Sequence, residues 1–416
     1  MNILKLITKM DIMLESNFEF HPVGQGCFYS GYIKYEDFYF NMVYDCGTVS
    51  PRNFLTHEIN KYKTNVQGDL DILIISHFDE DHINGVFELL QGTTCKNLII
   101  PYYEPIERLI LAISSAETDG GDYIEFLQNP ITYFIERDFK IDRIIVIGRP
   151  NNDSDKVLNS DNISPDTVID ENKGFILQAD FYDKADSIIL QDIAEIDKNI
   201  LIHSKIKFLK KPYRVQIQFW EFIFYLRNHS NQLLVQKVTK EINDLIISKG
   251  ITILDLFDIE YLKDLKIIYE KNFNNDFNNT SLVTYHGPIK NDNLRTYFWC
   301  EPHCRLQEYN NKSGTLLTGD ISLKTRDSIQ KLINYYDHYM EKICFFQVPH
   351  HGAKANWNLT TSNELPAFCV YIINHGIGRK NHPGLEVIEN IRTNYGTSHL
   401  KLCNEVEDFR YICFYT

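Results

Sequence analysis

The stretch Asp71-Ile72-Leu73-Ile74-Ile75-Ser76-His77-Phe78-Asp79-Glu80-Asp81-His82 joins two patterns at one point. Residues 71–75 form a short apolar run, which suits a strand buried on both faces. The run stops at Ser76, and four candidate metal ligands, His77, Asp79, Asp81 and His82, follow at once. A loop at the C-terminal end of a buried strand can bring several side chains to one point. Imidazole and carboxylate donors together suit zinc, manganese or iron. The competing explanation is a solvated acidic turn with two incidental histidines. Two nitrogen and two oxygen donors packed this closely argue against it.

Upstream, residues 27–35 and 38–44 predict a β-hairpin, because aromatic and β-branched residues favour strands and glycines mark turns. A glycine turn, Val23-Gly24-Gln25-Gly26, precedes it, and Asp45-Cys46-Gly47-Thr48 closes it. Downstream, residues 98–100 and 141–147 read as buried strands, and residues 85–90 as the start of a helix. This alternation predicts a layered α/β domain. From about residue 150 the chain turns polar and acidic, and residues 219–270 show apolar positions at helical spacing, such as Phe222, Leu226, Leu233 and Val238. Residues 151–275 are therefore expected to be a large, partly helical insertion. Strand signals resume at 281–283, 315–317, 343–348, 368–373 and 411–415.

Three of these later strands end in further candidate ligands. Asp320 lies in Thr318-Gly319-Asp320, a pair of histidines in Pro349-His350-His351-Gly352, and His382 in Asn381-His382-Pro383-Gly384. Adjacent histidines on an extended chain point apart, so only one of His350 and His351 is expected to face a metal.

Composition limits the alternatives. A formal net charge of −14 argues against gripping long nucleic acid over the whole surface. The 9 cysteines are scattered and odd in number, so free thiols in a reducing compartment are expected rather than a disulfide framework. No stretch reaches the roughly 20 apolar residues of a spanning helix, and the first residues lack a signal-peptide core. The expectation is a cytoplasmic protein with no membrane partner.

The order of these motifs resembles the metallo-β-lactamase superfamily, and most closely its ComEC-type branch, related to DNA-uptake proteins. The matching motifs are Val23 to Gly26, Ser76 to His82 with Gly85, Asn278 to Val283, Leu316 to Asp320, Pro349 to Gly352 and His382-Pro383. They cover about residues 20–150 and 276–385. The sequence departs from the superfamily at Asp79, where a histidine is usual, and at 278–281, where another histidine ligand is expected. Cys27 stands where the branch often has aspartate.

The resemblance implies a fold, an α/β metallo-β-lactamase αββα sandwich formed by residues 17–150 and 276–416, with 151–275 inserted. It implies one or two divalent ions, zinc or manganese, with His77, Asp79, Asp81, His82, Asp320 and His382 as ligands. Asp320 would bridge, and Asp81, His82 and His382 would hold the second ion. Asp81 would also orient the nucleophile, and His350 or His351 would give a proton to the leaving group, His350 being slightly favoured. Asp45, Asn278 and Ser281 would support the ligands from behind. The expected activity is a metal-dependent phosphodiesterase or nuclease acting on nucleic acid or a nucleotide. Alternatives are hydrolysis of a thioester, lactone or lactam on the same fold, or a non-enzymatic scaffold holding a protein partner through residues 151–275.

Overall fold

The structure is a computed structural model that describes residues 14–115, 121–148, 175–182, 204–227, 232–272, 280–289, 295–301, 307–310, 312–367 and 369–415. In chain order, strands β1 (Leu14–Phe20), β2 (Gly26–Tyr35) and β3 (Phe38–Thr48) lead to helix α1 (Arg52–Asn65). Then come β4 (Ile72–Ile74), the short helices α2 (Glu80–Ile83) and α3 (Val86–Leu90), and β5 (Cys95–Pro101). Helices α4 (Pro105–Ser115), α5 (Gly121–Gln128) and α6 (Pro130–Glu136) precede β6 (Ile141–Ile147), β7 (Gln178–Ala179), β8 (Ile206–Phe208), β9 (Arg214–Ile217) and β10 (Trp220–Leu226). Helices α7 (Gln232–Lys249) and α8 (Ile259–Asn272) are followed by β11 (Leu282–Pro288), β12 (Arg295–Glu301), β13 (Gln307–Asn310) and β14 (Gly314–Leu317). The chain closes with α9 (Arg326–Tyr336), β15 (Ile343–Gln347), β16 (Val370–Asn374), α10 (Leu385–Tyr395), β17 (Leu400–Cys403) and β18 (Phe409–Tyr415).

Among the described residues the strands form two sheets. One has the order β13-β12-β18-β1-β2-β3-β4-β5-β6-β8, the other β17-β16-β15-β14-β11-β10-β9-β7. Their inner faces share one apolar core, in which Phe18 and Tyr29 of the first sheet meet Trp220, Phe222 and Phe345 of the second. Leu55 and Ile59 of α1 pack on the outside of the first sheet. Ile329, Leu332 and Tyr336 of α9, with Val387 and Ile391 of α10, cover the second. The arrangement is the expected αββα sandwich. Strands β3 to β6 are parallel neighbours, as are β14 to β17. The loops leaving the C-terminal ends of β4, β14, β15 and β16 carry the candidate ligands.

The segment expected as an insertion is arranged differently. Within it, β8 pairs with β6 in the first sheet, while β9 and β10 pair in the second beside β11. Residues 220–226 are strand rather than helix, and all seven are buried. A run of aromatic and β-branched residues with both faces covered favours a central strand, and apolar positions alone do not separate that from a buried helix. The helical part begins at Gln232, where α7 and α8 pair and α8 packs on α4.

Candidate metal centre

The ligand loop is shaped by what lies on either side of it. After β4, residues 75–79 run outside any regular element, and Asp79 precedes α2 with φ −66° and ψ 147°. Asp79 occupies the cap position yet makes no side-chain capping bond. Its carboxylate instead lies 3.7 Å from His77 Nε2. The loop settles directly onto the end of β3. A Cβ on Gly47 would come within 2.6 Å of the backbone of Asp81 and His82, so only glycine permits this approach. On the far side, the Tyr123 hydroxyl donates to the Phe78 carbonyl at 2.6 Å, between two candidate ligands.

Seven groups converge. His82 Nε2 lies 3.3 Å from Asp320 Oδ1, while His77 Nε2 and His350 Nδ1 lie 3.7 and 3.3 Å from Asp320 Oδ2. His351 Nε2 lies 3.0 Å from Asp81 Oδ2, and the rings of His77 and His82 have centroids 4.0 Å apart. The ligand atoms of His77, His82 and Asp320 fall within 4.8 Å of one another, as do those of Asp81, His82 and His351 and those of His77, Asp79 and Asp81. His77 Nε2, His82 Nε2, His350 Nδ1 and Asp320 Oδ1 are all buried without a hydrogen-bond partner. Buried polar atoms left unpaired cost free energy. Four of them aimed into one space, lined by imidazoles and carboxylates, fit a divalent cation.

The distal nitrogens are held from behind. His82 Nδ1 donates to Asp45 Oδ2 at 2.8 Å. His77 Nδ1 donates to Ser76 Oγ at 2.8 Å, and that hydroxyl donates to the same Asp45 oxygen at 2.7 Å. One carboxylate therefore orients both rings and turns both Nε2 atoms toward the centre. His351 Nδ1 donates to the Asn374 carbonyl at 3.0 Å, with the same effect. Ser281 Oγ accepts the Asp320 backbone N–H at 2.8 Å and lies 3.3 Å from His77 Nδ1.

The electrostatics follow from burial and charge. Burial, and then the charge of His82, push the His77 pKa down to about 3, which keeps it a neutral donor. For His82, burial pulls the pKa down, but Asp320, Asp45 and Asp81 outweigh it and hold it well above the usual range. Burial likewise opposes ionisation of Asp81 and Asp320, yet the surrounding histidines hold Asp81 at about 2 and Asp320 well below the ordinary carboxylate range.

Both His350 and His351 face the centre, contrary to the expectation of one. The reason is backbone conformation: φ is 48° at His350 and 53° at His351, two successive left-handed residues. The alternation of an extended chain therefore does not apply. Asp45, with φ 53°, shares this costly conformation, which clusters at functional sites. His382 is placed differently from expectation. Its ring centroid lies 5.5 Å from His350 and 6.5 Å from His351, half-buried at the mouth, and it joins none of the close ligand groups. The position beside Asp81 and His82 is taken by His351. Asn278 lies outside the described residues. Sequence reasoning missed the Ser76 relay, the Asn374 carbonyl and Tyr123. Ser76 was visible in the motif, whereas the other two lie far from it in sequence.

Two facing sheets covered by helices, with this centre at the ends of their parallel strands, define the metallo-β-lactamase fold. Residues 38–163 match the family model described as the Metallo-beta-lactamase superfamily, whose members are mostly metal-dependent hydrolases. The crystal structure of the metallo-beta-lactamase fold protein YhfI from Bacillus subtilis matches over 95% of this chain and 99% of that one, at 10% identity and a TM-score of 0.34. No curated protein matches the chain. Among the described residues no helix is long and apolar enough to cross a membrane.

Proposed function

We propose that this protein is a metal-dependent phosphodiesterase or nuclease that takes two divalent ions, zinc or manganese. The observation that carries the metal-dependent part is the set of four unpaired buried atoms converging on one space. The two oxygens of Asp320 face different partners, His82 on one side and His77 with His350 on the other. A bridging carboxylate needs this arrangement. His77, Asp79 and His350 would hold one ion, and Asp81, His82 and His351 the other. On this reading His350 supplies the nitrogen donor absent from residues 278–281. Two ions held this way supply an activated water at neutral pH and a clamp for phosphoryl oxygens.

The chain's own residues do the rest. Asp45 would hold both rings with Nε2 turned toward the centre, through its bonds to His82 and Ser76. Asp81, whose Oδ2 lies 3.0 Å from His351 Nε2, would orient the attacking group. His382, half-buried beside His350, would give a proton to the departing oxygen. Support for a phosphodiester comes from the series of six motifs and from three carboxylates in the donor set, which favour hard, oxygen-binding metal chemistry.

The test is metal analysis of the purified chain, followed by turnover of bis(p-nitrophenyl) phosphate, single-stranded DNA and RNA with added manganese or zinc. Thioester, lactone and lactam substrates are run beside them. The expected result is phosphodiester cleavage that is lost in Asp320→Asn. A metal-loaded protein that cleaves only the acyl substrates points to the other hydrolase chemistry. A loaded protein that cleaves none leaves the scaffold role.

A further inference from the structure

The outer face of the first sheet carries a second cluster of reactive groups, separate from the metal centre. Beside α1, strands β1, β2 and β3 floor a cleft of about 370 Å³ lined by His21, Ser30, Lys61 and Arg410 among others. That is the small end of the usual range for ligand pockets, roughly 300–1,000 Å³. His21 Nε2 lies 2.7 Å from Ser30 Oγ, and His21 Nδ1 lies 2.8 Å from Glu58 Oε2. All three residues are buried, and the His21 ring stacks on Phe28 with centroids 4.1 Å apart.

A carboxylate can only accept, so Nδ1 carries the ring proton and Nε2 offers its lone pair to the Ser30 hydroxyl. A hydroxyl, a base within reach of it and a third group orienting the base are the arrangement that activates serine. Lys61 makes this cluster different in kind from the metal centre. Its Nζ lies 2.7 Å from Glu19 Oε1 and 3.0 Å from Glu58 Oε2, so these carboxylates already share a cation. Burial opposes ionisation of Glu58, but the bonds to His21 and Lys61 outweigh it and keep the carboxyl below its ordinary range.

We propose that this cleft is a second hydrolytic site, in which Ser30 attacks the carbonyl carbon of a small ester that carries an acid group. As the Oγ–C bond forms, the Ser30 proton passes to His21 Nε2, and Glu58 holds the imidazolium through Nδ1–H. The ester C–O bond then breaks, and the alcohol leaves with the proton from His21. Water attacks the acyl-serine, gives a proton to His21, and the carboxylic acid departs as that proton returns to Ser30. Ser30 and Gly31 pair with strands on both sides, so their backbone N–H groups are committed. The oxyanion is met instead by Lys61, which has one N–H left beyond its two carboxylates. Arg410 uses Nε on Asn17 at 2.9 Å, which leaves its two terminal nitrogens for the acid group of the substrate.

The test is labelling of the full chain with a fluorophosphonate probe, read by intact mass with the site mapped by peptide mass. Hydrolysis of p-nitrophenyl hemisuccinate is followed in parallel, both with and without a chelator. The expected result is one adduct at Ser30, unchanged by the chelator, at least tenfold slower in Glu58→Gln and absent in Ser30→Ala. Mapping on the wild-type chain needs no variant to fold. No adduct on the folded protein, or an adduct only at another residue, overturns the proposal. Neither outcome bears on the metal centre, which the chelator silences independently.

Discussion

Asp45 shows how much one buried residue sets. It is fully buried, accepts from His82 directly and reaches His77 through the Ser76 hydroxyl. Asp45→Asn swaps for an NH2 donor one of the two oxygens that accept from Ser76 N–H, the Ser76 hydroxyl and His82 Nδ1–H, so the orientation of both rings is weakened. Zinc affinity is expected to fall about 10- to 100-fold, measured by competition with a chromophoric chelator. An unchanged affinity would show that the rings are oriented by other contacts. His82 adds a pH dependence. Its pKa is raised in the metal-free protein, and a metal must displace the proton before it can bind Nε2. Affinity therefore rises with pH across neutrality and levels off above the raised pKa. Calorimetry at several pH values in buffers of different ionisation enthalpy should find proton release on binding. The same shift contributes stability to the metal-free protein that is fully present below the ordinary value of 6.5 and lost as pH rises through the raised one.

At the scale of elements, the centre depends on how closely the loop from His77 to His82 sits on β3 and the α4–α6 helices. Gly47→Ala drives a methyl group into the backbone of Asp81 and His82. The loop must shift, at a cost of about 1–3 kcal/mol in stability, visible in chemical denaturation. Metal affinity should fall with it. Tyr123→Phe is milder. It removes one buried hydrogen bond to the Phe78 carbonyl, while Phe78 keeps its packing on Tyr103 and Phe126. The expected loss is about 1 kcal/mol of stability with a measurable drop in metal affinity. A stability loss with affinity intact would assign Tyr123 to packing alone.

The whole molecule couples the two sheets through the centre. Residues 77–82 leave the first sheet, whereas Asp320, His350 and His351 leave the second. A bound ion therefore ties the layers together and stabilises only the folded state. With free metal at 100 times its dissociation constant, the gain is about 2.7 kcal/mol. The thermal midpoint should rise on adding zinc or manganese and fall on chelation. A midpoint indifferent to both, with no metal found by elemental analysis, would remove the metal centre and the phosphodiesterase reading with it.

The sequence by itself determined the layered α/β fold and the identity of most converging groups. Local signals carry that information: an apolar run that ends in closely spaced donors, and further donors at the ends of later strands. Residues 141–147 were read as the strand they form, because a buried parallel strand announces itself as a continuous apolar run. Only the tertiary structure decided that 220–226 is a central strand, since an apolar run broken only by Glu221 has no clear periodicity to distinguish it from a buried helix. Only the tertiary structure brought His350 and His351 inward together and left His382 at the mouth. Those outcomes depend on left-handed backbone at two successive histidines and on the space between the two sheets. The motif states which donors are present, but their grouping is set by backbone torsions and packing between residues hundreds of positions apart.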